Sequence, residues 1–377
     1  MKIVIDSKIP YIKGALDSLA DVVYVDGSAI TAADVRDADA LIVRTRTRCD
    51  ATLLAGSRVS AIFTATIGFD HIDTDYCAAH SIHWQNAPGC NAASVRQYVM
   101  SVFAYMHRRL GTTLAGARLA VVGVGNVGRQ IVELGLNLGM EVMPVDPVRA
   151  RREPTEYFYG YRDALSRADI ITYHTPLTLQ GRHRTFHLFG PQVLPWLRKG
   201  VCLINTSRGD VVDQEALRRA MLDGTVAHAV LDVWHGEPDI DPWLLDNALL
   251  ATPHIAGYSA DSKWNGTMMS VRALSRHFGL CLDDWTPQPL PQPDTDVVDV
   301  CGQRSFEDAF SRAMLDIYDV EADCSRLRAE PDKFEYLRGH YPLRRESKAY
   351  WLRVDKAYAG RMLDFGLRLK MNDDQPQ

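Results

Sequence analysis

The chain has 377 residues, 47 acidic against 42 basic, and a formal net charge of −5; that length allows two or three domains with sizeable cores, and the acidic balance offers no basic field for nucleic acid. Its seven cysteines are scattered, odd in number and never spaced CxxC, which argues against a disulfide framework and against a zinc site. The first residues, MKIVIDSKIP, open on a strand-like run with no long apolar stretch behind it, so neither a secretory signal nor a membrane span is expected, and the protein reads as cytoplasmic.

Short apolar runs alternate with longer helical patterns, the signature of βαβ units and parallel sheet. The first candidate strands are KIVID (2–6), DVVYVD (21–26), ALIVR (40–44) and AIFTAT (61–66). The third runs into IVRTRTR (42–48), which places Arg44, Arg46 and Arg48 at every second position. If the extended chain continues, all three share one face, either a solvated edge or a pocket for an anion.

A helical pattern from Ala92 to Arg109 carries Val95, Val99, Val102, Phe103 and Met106 on one apolar face. Next come an apolar strand (118–122), Gly123, Gly125 and Gly128 in GxGxxG spacing, an apolar-periodic helix, and a second strand ending at Asp146. The first glycine permits a tight turn, the second lets backbone approach a pyrophosphate, and the third allows the helix to pack closely on the strand. Asn126 and Val127 complete the loop, and the helix N-terminus faces the phosphates with free N–H groups. A strand before, a helix after and an acid at the end of the next strand are the context a dinucleotide site demands. Asp146 can accept from the ribose 2′-OH of NAD and repels the 2′-phosphate of NADP, although Arg149, Arg151 and Arg152 just downstream soften that preference.

Four further strand candidates end in polar residues: DIITYHTP (169–176), VCLINTSRG (201–209), AHAVLDVW (227–234) and ALLATPHIAGY (248–258). Ligands of open α/β sheets sit outside the carboxyl ends of the strands, where Thr175, Thr206, Ser207, Arg208, Asp232 and His254 fall. Hydride transfer from an alcohol carbon to nicotinamide needs a base, a cation for the neighbouring carboxylate, and a group that tunes the base. His254 suits the first task, because a histidine ordinarily titrates near pH 6.5. Arg208 suits the second through two parallel hydrogen bonds, and Glu237, in HGEPD, suits the third. Glu237 and His254 are too far apart to meet on one helix, so their pairing is a tertiary expectation.

The GxGxxG at 123–128, INTSRGDVVD at 204–213, LDVWHGEP at 231–238 and PHIAGYS at 253–259 together resemble the D-isomer-specific 2-hydroxyacid dehydrogenases over roughly residues 1–285. The resemblance implies Arg208, Glu237 and His254 as the catalytic set and NAD as cofactor. It implies an α/β fold: a Rossmann-type doubly wound parallel sheet domain, a flavodoxin-like α/β substrate domain, and a small C-terminal α+β domain. The expected boundaries are 1–92 and 257–285 for the substrate (lid) domain, 93–256 for the NAD-binding domain, 286–294 for a proline-rich linker, and 295–377 for a dimerisation domain that makes the protein a homodimer. APGCNA at 87–92, Tyr258 and the long C-terminal region are similar to members that oxidise a four-carbon 2-hydroxy acid with a terminal phosphate, in the synthesis of pyridoxal 5′-phosphate. Carried over residue by residue, that likeness puts substrate contacts at Arg44, Thr45, Thr66 and Tyr258. It puts cofactor contacts at Asp146, Thr175, Thr206, Ser207, Arg208, Asp232 and Gly257. Such a substrate has two anionic ends and Arg208 can hold one, so Arg44, with Arg46 as a candidate partner, is expected at its anionic groups and Arg48 as a solvated rim charge.

In the C-terminal region, DTDVVDV reads as a strand and SFEDAFSRAMLDIYDV as an amphipathic helix with Phe306, Phe310, Met314 and Ile317 on one face. Three other readings use the same residues. D-3-phosphoglycerate dehydrogenases and hydroxypyruvate or glyoxylate reductases share the catalytic set; a related NADH-sensing corepressor shares the fold without turnover. A methyltransferase could own the glycine loop but would leave Arg208, Glu237 and His254 unexplained.

Overall fold

The structure is a computed structural model that describes residues 1–153 and 157–370. Its α-carbon contacts divide the chain into two compact units, Met1–Asn91 with Ser259–Pro291, and Ala92–Tyr258 with the residues from Gln292 onward. The last stretch of the expected 295–377 domain, residues 371–377, lies outside the described residues.

In the first unit, strands β1 (Lys2–Asp6), β2 (Asp21–Val25), β3 (Ala40–Val43), β4 (Ala61–Thr64) and β5 (His83–Gln85) form one parallel sheet in the order β2-β1-β3-β4-β5. That is the flavodoxin-like order. The runs are almost continuously apolar because both faces are covered. Period-two alternation sends Ile3, Ile5, Ile42 and Phe63 to one core, shared with Val271 and Leu274 of the helix Ala260–Phe278, and Val4, Leu41, Val43 and Ile62 to the other. Each such side chain contributes about 1.5–3 kcal/mol by burial. The long helix is capped by Ser259, whose side chain accepts from the Ser262 N–H, and stops at Gly279 in the left-handed conformation.

In the second unit, β6 (Arg118–Val122), β7 (Glu141–Val145), β8 (Ile170–Tyr173), β9 (Val201–Asn205), β10 (Val226–Leu231) and β11 (Leu250–Ala251) make a parallel sheet ordered β11-β10-β9-β8-β6-β7. The chain reverses its direction of winding between β6 and β8, which opens a crevice at their carboxyl ends. The residues after Pro291 add a small parallel sheet of β12 (Val297–Asp299), β13 (Trp351–Arg353) and β14 (Arg368–Leu369) with several short helices. They share one apolar core with the six-stranded sheet: Phe310 and Met314 of the helix Phe306–Ile317 are buried with Val99, Val102 and Phe103 of the helix Ala92–Leu110. Polar links fasten the same surface, including Ser101 Oγ to the Tyr318 carbonyl at 2.6 Å and Gln97 Nε2 to the Arg345 carbonyl at 2.9 Å.

The condition under which Arg44, Arg46 and Arg48 would share one face, a strand continuing through them, is not met. β3 ends at Val43 and the chain turns, with the Thr47 N–H donating to the Arg44 carbonyl at 3.1 Å. Two side-chain bonds make the turn: Arg44 Nε donates to Asp6 Oδ2 at 3.0 Å, and Thr47 Oγ1 to the Gly27 carbonyl at 2.8 Å. Arg48 instead stands 80% exposed beside Asp50.

Candidate active site

The glycine loop follows β6 directly and opens the helix Asn126–Asn137. Gly123 has φ +86°, and a Cβ there would lie 2.7 Å from the His174 carbonyl oxygen. A Cβ on Gly128 would lie 1.8 Å from the Gly123 carbonyl oxygen, whereas nothing lies within 4 Å of the corresponding point at Gly125. The first and third glycines are therefore demanded by packing inside the protein, and the second keeps open the space above the helix N-terminus. Asp146 follows β7 and braces the loop, its Oδ2 accepting from the Val124 N–H at 3.0 Å. Its Oδ1 accepts from the N–H groups of Val148 and Arg149 at 3.1 and 2.9 Å. A carboxylate has about four acceptor sites, so capacity remains for a ribose hydroxyl.

Across the switch point, after β8, Thr175 Oγ1 is buried with no protein partner. An orphaned hydroxyl beside an open cradle at a helix N-terminus fits a dinucleotide. Next to it, His174 bridges Thr172 Oγ1 at 2.9 Å and Thr206 Oγ1 at 3.2 Å. Desolvation pushes its imidazole down to about 3, so at neutral pH it is an uncharged spacer between two strand ends. His174 lay inside the DIITYHTP run, but nothing in the spacing singled it out.

The next three strand ends carry the residues expected to form the catalytic set. After β9, the buried side chain of Asn205 organises the turn: Oδ1 accepts from the Ser207 N–H and hydroxyl, and Nδ2 donates to the Arg208 carbonyl at 2.9 Å. Arg208 is half-buried at the start of the next turn. Gly209 has no room for a side chain, since a Cβ would sit 2.0 Å from the Trp234 carbonyl. That close approach ties the Arg208 segment to the one carrying Glu237, and SRG was its only trace in sequence.

After β10, Glu237 Oε1 accepts from the Trp234 N–H at 2.9 Å and Oε2 meets His254 Nδ1 at 2.8 Å. The tertiary pairing expected of these two residues is present. Burial pushes the Glu237 carboxyl up, but the hydrogen bond and charge of His254, the Trp234 N–H and the charge of Arg338 outweigh it and hold the carboxyl below its ordinary value. His254 itself has φ +56°, a conformation that costs a non-glycine residue of order 1–3 kcal/mol and persists only when its surroundings enforce it.

Asp232, expected at the cofactor, is 1% exposed and heavily engaged within the chain: Oδ1 accepts from Thr252 Oγ1 and the Ile255 N–H, both at 2.7 Å, and Oδ2 from the Ala256 N–H at 2.9 Å. Its burial pushes the carboxyl up. It holds the loop that presents His254. Gly257 and Tyr258 continue that loop, and Tyr258 packs edge-on against Tyr341 while Arg338 lies 5.4 Å from its ring centroid. Arg338 and Tyr341 come from the C-terminal region and carry no motif, so sequence patterning could not place them here.

In the first unit, Arg44 and Thr45 stand at the end of β3 and Thr66 just past the end of β4. Arg44 is pinned by Asp6, which is fully buried and also accepts from the Lys8 and Gly27 N–H groups at 2.8 and 3.2 Å. Thr66 Oγ1 donates to the Gly68 carbonyl at 2.9 Å, and Thr45 is exposed. Among the described residues no helix is long and apolar enough to cross a membrane.

Comparison with known proteins agrees with this geometry. Residues 91–256 match the family described as D-isomer specific 2-hydroxyacid dehydrogenase, NAD binding domain, and residues 290–365 match a domain of unknown function, DUF3410. An erythronate-4-phosphate dehydrogenase of Bacteroides fragilis is 46% identical over 94% of this chain and 100% of its own length, and one of Pseudomonas putida is 40% identical over 94% and 95%. The solved D-lactate dehydrogenase of Aquifex aeolicus, complexed with NAD and lactic acid, shares the fold with a TM-score of 0.61 at 24% identity, covering 78% of this chain and 100% of that one. A GxGxxG cradle, a paired glutamate and histidine, and identity along nearly the whole length lead to one assignment: the chain belongs to the erythronate-4-phosphate dehydrogenases, within the NAD-dependent D-isomer specific 2-hydroxyacid dehydrogenases.

Proposed function

We propose that the protein oxidises 4-phospho-D-erythronate at its 2-hydroxyl to (R)-3-hydroxy-2-oxo-4-phosphooxybutanoate, as a cytoplasmic homodimer serving pyridoxal 5′-phosphate synthesis. The observation that carries the reaction type is the 2.8 Å contact between His254 Nδ1 and Glu237 Oε2. With Nδ1–H donated to the carboxylate, His254 Nε2 is the nitrogen that takes the proton of the substrate hydroxyl. Glu237 is held ionised, so it stabilises the imidazolium that forms and fixes the plane of the ring. Arg208 grips the carboxylate next to the reacting carbon and orients the hydroxyl toward His254. When bound, NAD supplies the acceptor for the hydride that leaves C2. Gly123, Gly125, Asn126, Val127 and Gly128 would hold its pyrophosphate and Asp146 its ribose. Thr175, Thr206, Ser207 and Gly257 would border the rest, with Asp232 shaping the loop behind them.

The second anionic end of the substrate is assigned to Arg44, with Thr45, Thr66 and Tyr258 as further contacts. The pinning of Arg44 by a fully buried Asp6 supports this, because a guanidinium fixed in advance loses less entropy on binding an anion. NAD reduction measured with 4-phospho-D-erythronate and with D-3-phosphoglycerate side by side tests the reading. Preference for the erythronate ester, lost in His254→Ala, is the expected result; preference for phosphoglycerate overturns the substrate, and NADH binding without turnover of either overturns the enzymatic reading in favour of a sensor.

A further inference from the structure

The C-terminal region supplies a buried cation that none of the roles above uses. Arg344 is 5% exposed, and its Nη2 donates to the carbonyl oxygens of Ile255 and Ala256 at 3.1 and 2.7 Å and to Ser94 Oγ at 2.7 Å. Ser94 Oγ in turn donates to the same Ala256 carbonyl at 2.8 Å. The guanidinium lies against two aromatic rings, 4.3 Å from the Tyr318 centroid and 5.5 Å from that of Tyr341, contacts that restrain its plane.

These bonds fall on the peptide units that follow His254. Asp232 holds the N–H groups of the first and second, and Arg344 holds the carbonyls of the second and third. The loop is thus gripped from both directions by opposite charges immediately after a residue in a left-handed conformation. Because a peptide unit is planar, Asp232 already orients the Ile255 carbonyl together with the Ala256 N–H; the guanidinium grips that unit from its other end and adds a hold on the third unit, which Asp232 does not reach. Relaxation of His254 toward ordinary backbone angles would carry its ring away from Glu237 Oε2.

We propose that Arg344 is a positioning residue for the oxidation: by clamping the Ile255 and Ala256 carbonyls it keeps His254 aimed, so that the C-terminal region is part of the catalytic apparatus. This rests on His254 as the base. The test compares full-length Arg344→Met, Arg344→Lys, Ser94→Ala and His254→Ala for melting temperature, NADH affinity by fluorescence, and kcat and KM with 4-phospho-D-erythronate. For Arg344→Met the expected result is a fall of about 50-fold in kcat with NADH affinity and KM within about twofold, and recovery of about tenfold in Arg344→Lys, the pattern of an interaction felt in the transition state. Should Arg344→Met not fold, Ser94→Ala, which removes one of the two donors to the Ala256 carbonyl, is expected to lower kcat about fivefold with the same split. Unchanged kcat in a folded Arg344→Met or in Ser94→Ala, or NADH affinity falling in step with kcat, overturns the proposal. An inactive His254→Ala beside an active Arg344→Met refutes the positioning role alone, whereas an active His254→Ala refutes the base itself.

Discussion

Two loops in this protein are proposed to receive negative charge, and they are built from opposite materials. The turn at Gly123–Gly128 offers backbone: Gly123 and Gly128 let it pack tightly, Gly125 keeps space open, and Asp146 braces it from behind by accepting the Val124 N–H. The turn at Arg44–Arg48 offers a side chain: Arg44, aimed by the buried carboxylate of Asp6. A backbone cradle accepts a pyrophosphate common to every substrate turnover, and its geometry is set by sterics. A guanidinium on a buried counter-ion is charge-assisted and adjustable by substitution, which suits the group that differs between one hydroxy acid and another.

The comparison is broken most severely at Gly128. Gly128→Ala places a methyl 1.8 Å from the Gly123 carbonyl oxygen, so the loop must move; NADH affinity, read by fluorescence titration, is expected to fall at least about 100-fold, roughly 2.7 kcal/mol. Arg44→Met attacks the other loop. KM for 4-phospho-D-erythronate is expected to rise about 30-fold, in line with a lost hydrogen bond to a charged group, while KM for a non-phosphorylated 2-hydroxy acid and NADH affinity stay within about twofold. An equal rise for both acids would remove the phosphate role.

Asp6→Asn sharpens the same contrast, since it leaves Arg44 in place but weakens the charge that aims it. The expected effect is about a fivefold rise in KM for the phosphorylated substrate, with NADH affinity unmoved. Smallest is a stability effect at the Glu237 carboxylate. Glu237 titrates below its ordinary 4.5 in the folded chain, so its ionised form favours folding above that value and the contribution disappears as pH falls through the folded pKa. The melting-temperature gap between wild type and Glu237→Gln is therefore expected to be present at pH 6 and to narrow as the pH falls below the ordinary 4.5.

The two loops also explain what a reader of the sequence could see. Gly123, Gly125 and Gly128 are legible because sterics admits nothing else at the first and third, and because strand, turn and helix follow within a few residues. Arg208, Glu237 and His254 were legible as chemistry at strand ends, although the Glu237–His254 contact spans 17 residues and needed the fold. The turn at Arg44 left no pattern in the sequence because its side-chain partner is Asp6, 38 residues earlier. Arg338 and Arg344 were invisible for the same reason at greater range: Arg344 acts on a carbonyl 88 residues away, and no periodicity records such a partner. Local steric demands leave a pattern; single long-range polar contacts do not.

The central claim is that the bond broken is C2–H of 4-phospho-D-erythronate, with His254 taking the hydroxyl proton. The most direct measurement supplies substrate deuterated at C2 and analyses the NADH formed by mass spectrometry. Deuterated NADH from the wild type and none from His254→Ala is the predicted result; NADH without the label, or labelled NADH formed equally well by the variant, would contradict it.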